Sequence, residues 1–314
     1  MGQKEEIMTT ITATTILRSR NTSQPEKVLS TLLLRYPRWI HAEFMTHRQF
    51  SRNAASSRAI PVKKLIQDVI ENPAVPMFWG KNQKGMQADE ENDEMVTLPG
   101  DEDCPNTNLI FSREEAWTEA RNQAVKMAQA FADAGYHKQI VNRLLEPFAH
   151  ITVVVSSTEW SNFLALRDHV DAEPHIAILA REVRKELDRE DNINELSPGE
   201  WHLPFVSQAN GNKKENMADT YSTDMLKLSV ARCASTSYKT VDGFDMTVEK
   251  AVELHDKLVG SSPLHASPAE HVAQADDWDE WEVFDFESPW VNVGEHGNFD
   301  GFRQYRKMLP NECL

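Results

Sequence analysis

"MTHRQFSRNAASSR", residues Met45 to Arg58, sets three arginines, a histidine and three serines into fourteen positions of a 314-residue chain whose formal net charge is −16. These are hydrogen-bond donors and cations, the chemistry that captures an anion. The apolar, β-rich run VLSTLLLRY (28–36) precedes the stretch. Pro37 then suits the first position of a helix, PRWIHAEFMTHR. Ile40, Phe44 and His47 fall at i, i+4 and i+7, so His47 shares the face that packs inward. From Ser51 to Arg58 the density of Ser and Asn favours caps and turns over helix interiors. The stretch reads as a helix end followed by a turn, both delivering polar groups to one place.

The totals set the frame. Charged residues are 26% and apolar residues 40% of the chain, an ordinary globular composition long enough for one large domain or two small ones. No run of about 18 apolar residues occurs, which excludes a membrane-spanning helix. The opening MGQKEEIMTTITATTILRSR lacks the apolar centre of a secretory signal. Three scattered cysteines, Cys104, Cys233 and Cys313, have no metal spacing, and a reduced, cytoplasmic protein is expected. The acids are concentrated in ADEENDEM and DEDC (88–104) and in ADDWDEWEVFDFE (275–287), runs that ordinarily form solvated loops. They argue against affinity for a nucleic-acid duplex, which needs cationic surface. A local cationic site in an acidic chain points instead to a small anion.

Periodicity places the remaining elements. Trp117, Ala120, Ala124, Ala128 and Phe131 make one apolar stripe of a helix over about 113–134, stopped by Gly135. HITVVVSS (150–157) reads as a buried strand. Beyond it, Trp160, Phe163, Leu164 and Arg167 lie on one face of a short helix. A second amphipathic helix covers roughly 174–190, and another covers TVEKAVELHDKLV (247–259). Residues 80–110 and 191–220 read as loop-rich.

Four cations stand out: Arg48, Arg58, Arg143 and Arg167. An arginine is ordinarily solvated or ion-paired at the surface. Arg167 differs because helical geometry puts it on an apolar face, where an unpaired charge is costly and a partner is required. Arg58, preceded by Ser56 and Ser57 in a turn, offers hydroxyls and a donor fork suited to phosphate. HASPAEH (265–271) lacks a metal-binding set, and no metal site is expected. No dinucleotide, P-loop or nucleophile-elbow motif occurs. From the residues alone this is an anion-binding α+β protein.

THRQFSRNAASSR resembles the signature of the flavin-dependent thymidylate synthases, Arg-His-Arg followed by seven residues and Ser; here Thr46-His47-Arg48 is followed by seven residues and Ser56. NRLLEPFAHIT and NFLALRDHVDAEPHI resemble the family's later block. ARCASTSYKT through HASPAEHVAQ (231–274) resembles its usual N-terminal block, displaced to the end as in a circular permutation. The resemblance implies an α+β fold with an antiparallel sheet flanked by helices. It implies one domain over 1–314, with an acidic insertion at about 80–112 and the displaced block within 229–314. It implies a homotetramer that uses FAD, with methylenetetrahydrofolate and NADPH as co-substrates, to convert dUMP to dTMP. Position by position, His47, Arg48, Asn162, Ser237, His265 and Ser267 would contact FAD. Ser56 and Arg58 would hold the nucleotide phosphate with Arg143 from a neighbouring subunit. Arg167 would meet the pyrimidine as the catalytic residue. The departures are Thr46 for Arg, Ala54 for Glu, Ala59 for Tyr and Glu43 for Gln. They leave open a hydroxymethylated or dCMP-derived product, and a nucleotide-binding chain without turnover.

Overall fold

A computed structural model describes residues 10–99, 108–206, 219–238, 246–262, 264–279, 288–310 and 312, with the side chains of 219–222, 237 and 238 excepted. The first two strands, β1 (Thr12–Asn21) and β2 (Val28–Pro37), pair antiparallel. A 3₁₀ turn at Arg38–Ile40 leads into a single helical turn, α1 (His41–Phe44), and then into β3 (Ser51–Ala54). Helix α2 (Val62–Glu71) follows, then a hairpin of β4 (Val96–Leu98) and β5 (Leu109–Phe111). Next come the long helix α3 (Arg113–Asp133) and the short α4 (Lys138–Val141). A 3₁₀ segment, Asn142–Phe148, enters β6 (His150–Ser157). Helices α5 (Ser161–Arg167) and α6 (Pro174–Leu187) precede β7 (Ile193–Leu196) and β8 (Trp201–His202). The C-terminal part holds α7 (Asp219–Tyr238), α8 (Val248–Val259), a 3₁₀ segment Ser267–His271, β9 (Ala273–Ala275), β10 (Phe302–Gln304) and α9 (Tyr305–Met308).

The main sheet runs β3-β6-β2-β1-β7. It is antiparallel except where β7 joins β1 in parallel. The fold is mixed α+β, as the sequence implies. Alternation along β2 and β6 sorts the two faces. Leu32, Leu34, Tyr36, Val153 and Val155 point to α5 and α6 and pack with Phe44, Phe50, Phe163, Ile176 and Leu179. The other face is partly polar: Ser19, Thr31, Ser51 and Ser156 are buried there. α7 and the Ser267–His271 segment pack over β3 and β6. Asn53 Nδ2 donates to the Cys233 carbonyl at 2.6 Å, and Gln304 Nε2 donates to Ser51 Oγ and the Glu270 carbonyl, both at 3.2 Å. Cys233, Glu270 and Gln304 of the C-terminal part thus lie against the strand inside the signature stretch.

Local signals account for the helix ends. Ser112 and Glu115 form a reciprocal capping box at the start of α3. Gly135, at φ 85°, turns the chain after its last residue. Two expectations are corrected. The helix over 37–48 shrinks to the 3₁₀ turn and α1, because β2 continues through Pro37 and His47 already lies beyond the helix. Ser51–Ala54 is a strand rather than a turn, because its backbone pairs with Val153–Ser156 of β6. The polar excursion at 80–110 also contains the β4–β5 hairpin, and the loop-rich 191–220 holds β7 and β8. Among the described residues no helix is long and apolar enough to cross a membrane.

A chain of hydrogen bonds crosses the polar face. Ser19 Oγ meets His202 Nδ1 at 2.8 Å, and His202 Nε2 meets Thr31 Oγ1 at 2.8 Å. Thr31 Oγ1 meets Ser156 Oγ at 2.6 Å, and Ser156 Oγ meets His271 Nδ1 at 2.9 Å. Burial pushes both imidazoles down to a pKa of about 3, so they are neutral in the native protein. The unfolded chain protonates them near 6.5 and the folded chain does not. Their stabilising effect is therefore complete above pH 6.5 and lost as pH falls from there toward 3. Chemical denaturation between pH 7.5 and 5 should show stability falling by about 1.4 kcal/mol per pH unit for each histidine once pH is well below 6.5. His202→Gln should flatten that slope by one histidine's share.

Candidate active site

The site grows from the loop between α1 and β3. Arg52 Nη1 donates to the carbonyls of Met45 and His47, each at 2.9 Å, and closes the loop on itself. That closure turns His47 inward, where it is 6% exposed. Its ring meets Phe163 of α5 edge-on at 5.0 Å. Arg167, four residues beyond Phe163 on the same helix face, thereby comes over the histidine. Arg167 Nε donates to His47 Nε2 at 3.0 Å, Nη1 reaches Glu43 Oε2 at 3.3 Å and Nη2 reaches Thr46 Oγ1 at 3.4 Å. The partner that Arg167 requires is this cluster, drawn from α1 and the residues after it.

Burial, then Arg167, then Arg52 push the His47 pKa down to about 4. The imidazole is neutral at pH 7, and acceptance at Nε2 leaves its proton on Nδ1. Thr46, standing where the signature has arginine, donates from Oγ1 to the Glu43 carbonyl at 2.7 Å. The Glu43–Arg167 pair is partly exposed, with 43% and 21% of the side chains accessible. Such a pair holds by about 1 kcal/mol or less, so a ligand can take either partner.

A second polar cluster flanks the turn after β3. Asn142 Nδ2 donates to the carbonyls of Ser57 at 2.6 Å and Ile60 at 2.9 Å, fixing the turn that carries Ser56 and Arg58. Ser57 Oγ donates to Glu146 Oε1 at 2.8 Å. Arg38 and Arg143 approach the same carboxylate at 3.3 and 3.8 Å. Ser56 is half-buried and Arg58 exposed, while Arg143 is 61% accessible.

The structure thus joins His47 to Arg167 and leaves Arg48, Asn162, His265 and Ser267 exposed around the loop, α5 and the 3₁₀ segment. The side chain of Ser237 lies outside the described residues. Sequence reasoning missed Arg38, Arg52 and Glu146. Arg38 and Arg52 sit in segments read as a helix start and a turn, and no spacing tied Glu146 to Ser57. Among the described residues no group of three or more His, Cys, Asp or Glu is placed to hold a metal ion.

Residues 3–191, more than half of the chain, match the family described as thymidylate synthase complementing protein. The chain belongs to this family. The matched span includes the His47–Arg167 cluster and ends before α7, so the block at 231–274 lies outside it. Among solved structures, the UMP/dUMP methylase PolB from Streptomyces cacaoi bound with 5-Br UMP is 16% identical. It aligns over 58% of this chain and 90% of its own, with a TM-score of 0.41. The flavin dependent thymidylate synthase ThyX from Helicobacter pylori, complexed with FAD and dUMP, is 17% identical over 54% of this chain and 75% of its own, with a TM-score of 0.33. No curated protein sequence matches the chain.

Because Arg167 is the second cause of the low His47 pKa, Arg167→Gln should raise it from about 4 while burial keeps it below 6.5. An NMR titration of the His47 ring measures the change; an unmoved pKa would separate the two groups.

Proposed function

We propose that this chain is a flavin-dependent thymidylate synthase, methylating dUMP at C5 with methylenetetrahydrofolate as carbon donor and NADPH as reductant. The observation that carries the reading is the Arg167 guanidinium held over a neutral His47 inside the family's signature stretch. FAD, when bound, supplies the redox chemistry, and the protein's task is to bind and orient. The donor set fits such a group. Arg48, Asn162, His265 and Ser267 are exposed, and their side chains make no hydrogen bond or ion pair among the described residues. With His47 and Ser237 they would hold FAD. Arg58 is likewise uncommitted, and with Ser56 and an Arg143 contributed across a subunit boundary it would hold the nucleotide phosphate. Arg167 would donate to the pyrimidine, stabilising negative charge that develops as C5 becomes nucleophilic; such a fixed donor in a dry site is a strong electrostatic catalyst.

Residues 229–314 complete the same domain in this reading, as a segment that carries the family's usual N-terminal block at 231–274. The hydrogen bonds from Asn53 to Cys233 and from Gln304 to Ser51 and Glu270 support that placement. A homotetramer is part of the proposal, as is binding of folate and nucleotide rather than duplex nucleic acid.

Glu43 supports a second reading. A carboxylate acceptor beside the Arg167 donors accommodates an exocyclic amine as readily as a ring N–H. On the same scaffold this admits dCMP as substrate, and a hydroxymethyl product is the other alternative outcome.

The deciding experiment combines the flavin spectrum of the purified chain with product mass. Loaded with FAD and given NADPH, the yellow protein should bleach. With methylenetetrahydrofolate and dUMP it should release thymidylate. A hydroxymethylated or cytosine-derived product would establish the second reading instead, and a chain that takes up neither FAD nor nucleotide would sink both. Arg167→Ala should cut turnover by about 10²–10³-fold while the protein stays folded; undiminished turnover would remove Arg167 from the chemistry.

A further inference from the structure

Two stretches of this chain carry no acid at all. Residues 44–67 and 134–145 contain neither Asp nor Glu, in a sequence that has 49 of them among 314 residues. The first stretch holds Arg58, Lys63 and Lys64, and the second holds Lys138 and Arg143. The fold brings the two together. Ile60, Leu65 and Ile66 share one core cluster with Val141 and Leu145. Asn142 Nδ2 donates to the Ser57 and Ile60 carbonyls across the same joint. Glu146, the first acid after the second stretch, is already answered by Ser57 Oγ, Arg38 and Arg143.

At this joint Lys138, the first residue of α4, reaches the turn that carries Ser56 and Arg58. The Ala59 N–H donates to the Ser56 carbonyl at 3.0 Å, closing residues 56–59 into a turn. Lys138 Nζ donates to the Ala59 carbonyl at 3.2 Å. The ammonium is thereby fixed one residue from Arg58, at the closing end of the turn that Ser56 opens. Lys138 is half-buried, and no carboxylate pairs with it among the described residues. An ammonium has three donors, and the carbonyl takes one. A partly desolvated cation, held in place with donors to spare and no counter-ion, calls for an anion. Arg58 in the turn, and Lys63 and Lys64 at the start of α2 just beyond it, are exposed. They too make no ion pair among the described residues.

We infer that Lys138 is a further ligand of the nucleotide phosphate, adding its free N–H donors to those of Ser56 and Arg58. In this role it presupposes the nucleotide site proposed above. A phosphate monoester carries a charge of about −1.5 to −2 at pH 7. A chain of net charge −16 repels such an ion over most of its surface, and the acid-free joint is where the field turns attractive. Lys138 suits the position because a point charge on a flexible stem can keep one N–H on the carbonyl and turn the others to a phosphate oxygen. It reaches the turn within one chain, whereas the proposed Arg143 comes from a neighbouring subunit.

Calorimetric titration of dUMP and, in parallel, dCMP into the purified full chain tests this, with deoxyuridine and deoxycytidine as the forms without phosphate. Lys138→Met should weaken binding of the nucleotide by about tenfold or more and leave binding of its nucleoside unchanged. The variant's nucleotide affinity should also fall less steeply with added KCl than that of the natural chain. Lys138→Arg, which keeps the charge, should recover most of the loss. Unchanged nucleotide affinity in Lys138→Met would overturn the proposal. So would an equal loss for nucleotide and nucleoside, which would make Lys138 an anchor of the turn and nothing more. A chain that binds dUMP in this Lys138-dependent way yet forms no thymidylate would sink the methylation reading and leave this one standing. A chain that binds neither nucleotide would sink both.

Discussion

The pairing of β6 with strands on both of its edges is the constraint on which the rest depends. β6 is matched to β2 over eight residue pairs and to β3 over four. With the register set, alternation decides which side chains meet the helices and which face the polar layer. A slip of one residue would turn Val153 and Val155 out of the aromatic core and drive Ser156 into it. It would also carry β3 away from α7, dissolving the seam where the signature stretch meets the C-terminal block.

That seam explains why an acidic chain can hold a cationic stretch. The arginines of the stretch fall into two surroundings. Arg52 is spent on backbone carbonyls and shapes the loop, and Arg48 and Arg58 are exposed with no side-chain partner among the described residues. The cation that enters the packed cluster, Arg167, comes from another element and is answered by Glu43 and His47. Charge in the stretch is split two ways, Arg52 closing the loop and Arg48 and Arg58 standing exposed.

Much of this was legible in the sequence where one element's own pattern decides its form. HITVVVSS is β6 residue for residue, and α3 follows its apolar stripe and stops before Gly135. The meeting of Arg167 with an inward-facing partner followed from helical spacing alone, since a charge on an apolar stripe demands one. β3 was not legible, because Ser-Arg-Asn-Ala carries turn residues and becomes a strand only through the edge that β6 offers. Glu43 as counter-ion, and the Arg38–Glu146–Ser57 cluster, were hidden for the same reason. They join segments brought together by the sheet, and no spacing along the chain encodes that.

Asn21 has a consequence for how the chain is made. Its side-chain amide donates to the carbonyls of Asp276 and Gly301, at 2.8 and 2.7 Å, stitching the end of β1 to residues up to 280 positions later. At ribosomal rates of about 5–20 residues per second, β1 waits roughly 15–60 s for its last partner to be synthesised. Until residues 219–271 have followed, the polar layer of the sheet, with Thr31 and Ser156, has no cover from α7 or the Ser267–His271 segment. The nascent sheet must keep its uncovered face hydrated until residues 219–271 emerge, an interval open to misassembly.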